Sequence, residues 1–161
     1  MINKNKSLEW LEKQKKITTD EEIKDANNSV RGIYGIFVKD EEIRCVYVGR
    51  TSSIYLRMFS ARGHITKLKN ENHTNLQLMT AVQSGKEIVI KILEKVPFKF
   101  DNYYKDMQRL ASAENKYIDI YQDQNQCLEQ VPEGTRIIEK KWEDMKLRNS
   151  TLSTDLVDNI K

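Results

Sequence analysis

Residues 30–49, with the sequence VRGIYGIFVKDEEIRCVYVG, determine the fold of this chain. Two runs rich in β-branched and aromatic residues, residues 30–38 and residues 43–48, are separated by the polar residues 39–42. Apolar runs around a short charged loop are typical of a β-hairpin, because each run can form a strand and the loop can turn. We therefore predict an antiparallel pair of strands, the second of which ends at Gly49.

Helices and one more strand are predicted after the hairpin. Residues 51–53 (TSS) are suited to cap a helix, and Gly63 is suited to end it. The alternating pattern of EIVIKIL indicates a strand. In chain order we expect a helix over residues 54–62, a helix over residues 76–82, a strand over residues 87–93 and a long helix over residues 103–121.

The two ends of the chain are predicted to be helical extensions. Thr19 and Glu22 have the spacing of a capping box, so a helical turn is expected to start there. We expect a helical N-terminal arm over residues 1–29, a core domain over residues 30–130 and a C-terminal helical extension over residues 131–161. The predicted fold class is α+β, with a small three-stranded, mainly antiparallel sheet flanked by helices.

Composition limits the classes of protein to consider. The 161 residues are 39% hydrophobic and 32% charged, which is typical of a globular domain. The net charge of +3 is too small for a uniformly basic surface, so a nucleic-acid site must come from local clusters of Lys and Arg. Cys45 and Cys127 are expected to pack as small apolar residues. Without a signal-peptide pattern or a membrane span, we expect a cytoplasmic protein that does not bind membranes.

The predicted elements place several chemically useful residues in a defined order. A GIY triplet (residues 32–34) lies on the first strand, and a YVG triplet (residues 47–49) closes the second. Arg57 follows on the first helix, and Glu114 lies on the long helix. This order resembles the GIY-YIG nuclease superfamily, in a GIY…YVG variant, over residues 30–126.

The resemblance implies a metal-dependent endonuclease, a hydrolase that cuts the phosphodiester bonds of DNA. It implies that Glu114 holds one Mg²⁺ or Mn²⁺ ion and that Arg57 binds the phosphate, for which its planar guanidinium is suited. It also implies that Tyr34 and Tyr47 position the attacking water or help to deprotonate it. Arg50 would supply the nearby cation that a tyrosine needs for that task.

Four residues beside this set are expected to contact DNA: Gly49, Arg50, Arg62 and His64. Without a side chain, Gly49 lets the backbone approach a phosphate closely. His64 is a shifted substitute for a histidine of the family, and Asn125 lies near the place of a family asparagine, in a different local context. The compact chain favours a restriction or phage or mobile-element nuclease, and a homodimer would suit a symmetric DNA site.

Each of these residues also has an ordinary structural interpretation. Tyr34 and Tyr47 could be half-buried strand residues, and Glu114 could pair with Lys116 or Arg109 at the surface. His64 could face solvent or cap a helix, as could the other histidine of the chain. The main alternative function is therefore a non-catalytic nucleic-acid-binding or adaptor module on the same fold, and a remoter one is a structural interaction domain.

Overall fold

The computed structural model describes residues 16–132. Within this part of the chain, four strands form one mixed sheet in the order β1-β4-β2-β3. The strands are β1 (Ile17–Thr19), β2 (Gly32–Lys39), β3 (Ile43–Thr51) and β4 (Glu87–Lys95). The helices are α1 (Ile54–Phe59), α2 (His64–Lys69), α3 (Leu76–Gln83) and α4 (Tyr103–Gln122). The α+β class is thus confirmed.

The predicted hairpin is formed by β2 and β3, which pair antiparallel. Tyr34 lies opposite Gly49, and Ile36 lies opposite Tyr47. Because side chains alternate between the two faces of a sheet, both tyrosines project from the same face. β2 also pairs antiparallel with β4, so the hairpin strand that bears the GIY triplet is central in the sheet.

The prediction of a three-stranded, mainly antiparallel sheet was wrong, because it missed β1. The β-branched residues Ile17–Thr19 pair parallel with β4, and Asp20 extends this edge by accepting a hydrogen bond from Ile92 N–H at 2.8 Å. Residues 1–29 are therefore not a purely helical arm. Only the 3₁₀ turn Glu21–Lys24 is helical among residues 16–29. Residues 1–15 of the predicted N-terminal arm and residues 133–161 of the predicted C-terminal extension lie outside the described residues.

The segment predicted as one helix over residues 54–62 is two short helices. Ser53 caps α1 as predicted, since its side chain accepts a hydrogen bond from Leu56 N–H. The helix stops at Phe59, however, and Gly63 starts α2 instead of ending α1. A Cβ at Gly63 would overlap the carbonyl of Met58, so the chain can turn this closely only with glycine there.

The sheet has a hydrophobic layer on each face. On one face, buried side chains of β2, β3 and β4 pack against α1, α2 and α3. On the other face, Ile33, Phe37 and Val48 pack against Leu110 and Ala113 of α4. Tyr34 and Tyr47 belong to the first layer, whereas α4 covers the second. A site that uses residues from both layers must therefore lie where the sheet ends.

The outer edge of β3 is covered by the segment that follows α4. Gln126 accepts a hydrogen bond from Cys45 N–H, and Gln130 pairs with both the N–H and the carbonyl of Val48. These side chains satisfy backbone groups that an edge strand would otherwise expose. Cys45 and Cys127 are both buried and form no disulfide, which confirms their predicted packing role.

A buried ionic cluster fixes the start of α4 to the sheet. Asp106 is only 1% exposed and pairs with Arg109 at 2.9 Å. Its carboxylate also accepts hydrogen bonds from the N–H groups of Lys99 and Phe100. Burial alone would raise the pKa of Asp106, but these bonds outweigh burial and lower it. Arg31 joins the cluster by donating to the Asp106 carbonyl, so the position of α4 depends on this cluster.

We predict that Asp106→Ala lowers the free energy of unfolding by about 3 kcal/mol, because it leaves Arg109 buried without its partner. Urea unfolding measures this change. The matched control is Asp101→Ala, an exposed aspartate of the preceding turn, which is expected to change stability by less than about 0.5 kcal/mol. Equal losses for the two variants would contradict the role given to the buried cluster.

Candidate active site

A cavity of about 370 Å³ opens at the β3 edge of the sheet. It is bordered by side chains from both hydrophobic layers, which meet there. Two guanidinium groups and one carboxylate lie on its wall, so its described charge is net positive. The lining residues are Tyr34, Tyr47, Val48, Arg50, Arg57, Glu114, Ile118, Gln130 and Val131. All four residues predicted to be catalytic, Tyr34, Tyr47, Arg57 and Glu114, thus border one cavity.

Gly49 has a role that the sequence did not reveal. The phenol of Tyr34 crosses over Gly49, and a Cβ added to Gly49 would overlap the Tyr34 hydroxyl and ring. The glycine of the YVG triplet is therefore required by the tyrosine of the GIY triplet. Gly49 itself is buried and does not line the cavity, so its predicted contact with DNA remains a prediction.

The Tyr34 hydroxyl is held by two nitrogen groups from the helices. His64 Nε2 lies 2.7 Å from Tyr34 Oη, and Arg57 Nε donates to the same oxygen at 3.3 Å. Arg57 comes from α1 and His64 from the first turn of α2, so the interruption at Gly63 brings both residues to the tyrosine. Tyr47 completes the group, with its ring centroid 5.1 Å from that of His64.

The interpretation of the two histidines as solvent-facing or capping residues was wrong for His64. His64 is buried, and its Nδ1 lies 2.8 Å from Nε2 of His73, which is also buried. His73 in turn accepts a hydrogen bond from the N–H of Asn75 at 3.0 Å. His73 contacts the site through His64, which lies nine positions before it in the chain. No spacing pattern in the sequence indicated this contact.

Burial governs the protonation of this cluster. It raises the pKa of Tyr34, and the nearby Tyr47 raises it further, against a smaller opposite effect of the hydrogen bond from Arg57. Burial lowers the pKa of His64 to about 3, and the neighbouring His73 and Arg57 add to this effect. At neutral pH, Tyr34 therefore keeps its proton and His64 is uncharged. The hydrogen bond to Tyr34 raises the pKa of Arg57, which stays cationic.

Glu114 reaches the cavity from α4 and forms an ion pair with Arg50 at 2.8 Å. Its side chain is 13% exposed, so the pair is largely shielded from water. From the sequence we considered Lys116 or Arg109 as the partner of Glu114. In the structure Glu114 pairs with Arg50, while Lys116 pairs with Glu94 and Arg109 pairs with Asp106. Arg50 thus links the end of β3 to the carboxylate predicted to hold a metal.

Some predicted residues lie outside the cavity. Arg62 is exposed in the turn between α1 and α2, and Asn125 is exposed in the turn after α4, with a φ of 60°. Neither lines the cavity. Gln130 does line the cavity, and no local pattern indicated this residue because its contact with β3 spans 82 positions.

The described residues offer a divalent ion one carboxylate at this cavity, that of Glu114. Within residues 16–132, no group of three or more His, Cys, Asp or Glu side chains is placed to hold a metal. A hard ion such as Mg²⁺ can be held by one carboxylate while it keeps several waters, so this oxygen donor fits such an ion. Oε1 already accepts a hydrogen bond from Arg50, so an ion bound there would share this carboxylate with Arg50 or displace Arg50 from it.

No family model, curated protein or solved structure matches this chain. The assignment of the cavity as a functional site therefore depends on its geometry and on the sequence resemblance alone. None of the helices in residues 16–132 is both long enough and apolar enough to cross a bilayer.

We predict that Gly49→Ala lowers the free energy of unfolding by about 1–3 kcal/mol, because the new methyl group displaces the Tyr34 phenol. The same substitution is expected to cost much less in a Tyr34→Ala background, where the overlapping ring is absent. Urea unfolding of the two single variants and the double variant measures this coupling. Additive losses would show that Gly49 is required for some other reason.

The low pKa of His64 predicts a pH-dependent stability. The unfolded chain binds a proton on this residue near pH 6.5, whereas the folded chain binds it only near pH 3. Stability is therefore complete above the unfolded pKa and is lost as the pH falls below it. Between about pH 7 and pH 5, the wild type should lose about 2 kcal/mol more than His64→Gln. Parallel pH profiles of the two proteins in urea unfolding would contradict the burial of a neutral His64.

Proposed function

We propose that this chain is a metal-dependent endonuclease that hydrolyses DNA phosphodiester bonds at the cavity beside β3. The observation that carries the proposal is the meeting of Tyr34, Tyr47, Arg57 and Glu114 on one cavity, from two strands and two helices. These are the side chains for which the sequence resemblance implies catalytic roles. They come from opposite faces of the sheet, so ordinary core packing does not by itself explain why they meet.

The charge of the cavity suits a phosphodiester. Arg57 is held by the Tyr34 hydroxyl with its guanidinium at the cavity, and Arg50 lies across from it beside Glu114. A guanidinium can donate two parallel hydrogen bonds to phosphate oxygens. In the proposed reaction, Arg57 binds the phosphate and offsets the charge that develops in the transition state.

Glu114 is the residue that would hold the divalent ion. When bound there, an ion such as Mg²⁺ supplies a positive charge for the phosphate oxygens and makes a coordinated water more acidic. Arg50 holds the Glu114 carboxylate in place before the ion arrives. Once released from Glu114, the Arg50 side chain would be close enough to the cavity to contact the bound DNA phosphate.

The raised pKa of Tyr34 argues for an orienting role. A tyrosine that keeps its proton at neutral pH is a poor general base, but its hydroxyl can fix the position of a water or of a phosphate oxygen. The hydrogen bond from Arg57 and the hydrogen bond between Oη and His64 hold Oη in one place for this purpose. Tyr47 is half-buried on the same cavity and is proposed to orient the attacking water together with Tyr34.

One observation favours a non-catalytic DNA-binding module as the second candidate. Glu114 is already in an ion pair, and within residues 16–132 no multi-ligand metal group accompanies it. A positive cavity whose carboxylate stays bound to Arg50 would bind a phosphate without cleaving it. Binding of DNA with no cleavage in Mg²⁺ or Mn²⁺ would favour this candidate.

We predict that the full-length protein nicks supercoiled plasmid DNA in the presence of Mg²⁺ or Mn²⁺, and that EDTA abolishes the nicking. Glu114→Gln should reduce the initial rate by at least about 100-fold, because it removes the charge that holds the ion. Arg57→Ala should reduce the rate by a similar factor, since it removes a charge-assisted contact with the phosphate. Agarose-gel time courses measure both effects.

The matched control is Glu94→Gln, which neutralises a carboxylate outside the cavity that pairs with Lys116. It should nick at a rate within about threefold of the wild type, as a surface pair contributes little. Failure of the wild type to nick DNA, or an undiminished rate in Glu114→Gln, would sink the proposed mechanism.

A further inference from the structure

A chain of three hydrogen bonds joins the backbone at the start of α3 to the hydroxyl of Tyr34. Asn75 N–H donates to His73 Nδ1 at 3.0 Å, and His73 Nε2 lies 2.8 Å from His64 Nδ1. His64 Nε2 then lies 2.7 Å from Tyr34 Oη. Both histidines are buried, so these contacts are shielded from competing water.

The backbone amide sets the direction of every bond in this chain. An amide N–H can only donate, so His73 Nδ1 must be an unprotonated acceptor. The single proton of a neutral His73 is then on Nε2, which donates to His64 Nδ1. By the same argument, the proton of a neutral His64 is on Nε2 and is donated to the oxygen of Tyr34.

We propose that His73 is a positioning residue that fixes His64 as a hydrogen-bond donor to Tyr34, so that His64 does not act as a base toward the Tyr34 hydroxyl. This inference rests on the proposed function for its catalytic meaning, but the tautomers themselves do not depend on that function. The surroundings of His64 also oppose its protonation. Arg57 and Lys67 are both cations, and their charges disfavour a protonated His64.

This arrangement determines what Tyr34 can do. Its oxygen accepts one hydrogen bond from His64 and a second from Arg57. With both acceptor positions in use, the phenolic proton is directed away from these two groups, toward Tyr47 and the cavity. Tyr34 thus meets a substrate as a hydrogen-bond donor. If His64 took this proton instead, it would become a cation with a hydrogen on Nδ1. That hydrogen would face the hydrogen on His73 Nε2, so the hydrogen bond between the two rings would be lost.

The direct test is the tautomeric state of the two histidines in the full-length protein. Two-bond ¹H–¹⁵N correlation spectra of ¹⁵N-histidine-labelled protein distinguish the two neutral tautomers and the cation. The chain has only two histidines, so His64→Gln assigns the signals. We expect both to be neutral with the proton on Nε2 between about pH 6 and pH 8. A proton on Nδ1 of His64, or a cationic His64 in this range, would overturn the proposal.

Two variants whose new side chains have nearly the same shape test the role of His73. His73→Gln can still donate to His64 Nδ1 through its amide, whereas His73→Glu presents a carboxylate that only accepts. In His73→Glu the proton of His64 should move to Nδ1, as a carboxylate partner selects that tautomer. Tyr34 then loses a donor, and plasmid nicking should be about 10- to 100-fold slower than in His73→Gln.

The two readouts separate this proposal from the proposed function. If the wild type does not nick DNA but both histidines have the expected tautomers, the nuclease assignment fails and the fixed donor chain stands. If His73→Glu does not fold, the spectra of the wild type and of His73→Gln still decide the tautomers. Equal nicking rates in a folded His73→Glu and His73→Gln would contradict the positioning role.

Discussion

The Tyr34 phenol lies directly over Gly49, and the geometry of the cavity follows from this crossing. Because no side chain stands at Gly49, the Tyr34 hydroxyl can extend across β3 to the point where Arg57 and His64 reach it. Arg50 follows Gly49 on β3, and its side chain pairs with Glu114 on α4. Because Gly49 has no side chain, residues from both faces of the sheet can border one cavity.

The protonation states of the groups around this cavity are set by burial more than by the net charge of the cavity. The enclosed Tyr34 keeps its proton and the enclosed His64 stays neutral, whereas Arg57 brings a positive charge to the tyrosine hydroxyl. Glu114, which is largely shielded from water, is paired with Arg50 at 2.8 Å. If a metal ion took the place of Arg50 beside Glu114 while a phosphate took the place of Glu114 beside Arg50, both charges of the pair would keep a partner of opposite sign.

Local patterns in the sequence were sufficient to predict most elements of the core. The hairpin followed from two apolar runs around a charged loop, the Ser53 cap from a TSS triplet, and α4 from its helical spacing. By contrast, β1 was missed because the stability of three residues as a strand comes from pairing with β4, about 70 positions away. Propensity cannot reveal a partner so distant in the chain.

At the candidate site, too, the sequence indicated individual residues but not the contacts between residues distant in the chain. Tyr34, Tyr47, Arg57 and Glu114 could be selected from the sequence only through a resemblance, since each also has an ordinary structural interpretation. That they meet is a consequence of the fold. The pairing of His64 with His73 depends on the break between α1 and α2. The sequence indicated this break only through Gly63, which we had interpreted as the end of one helix.

Tyr34 and Glu114, which come from opposite faces of the sheet, are proposed to act on one phosphate. The most direct measurement is a double-mutant cycle on the single-turnover rate of plasmid cleavage, with Tyr34→Phe and Glu114→Gln. Residues that act as a unit are strongly non-additive, so the double variant should be scarcely slower than the slower single variant. Multiplicative losses, or a wild type that does not cleave DNA in the presence of a divalent ion, would contradict the claim.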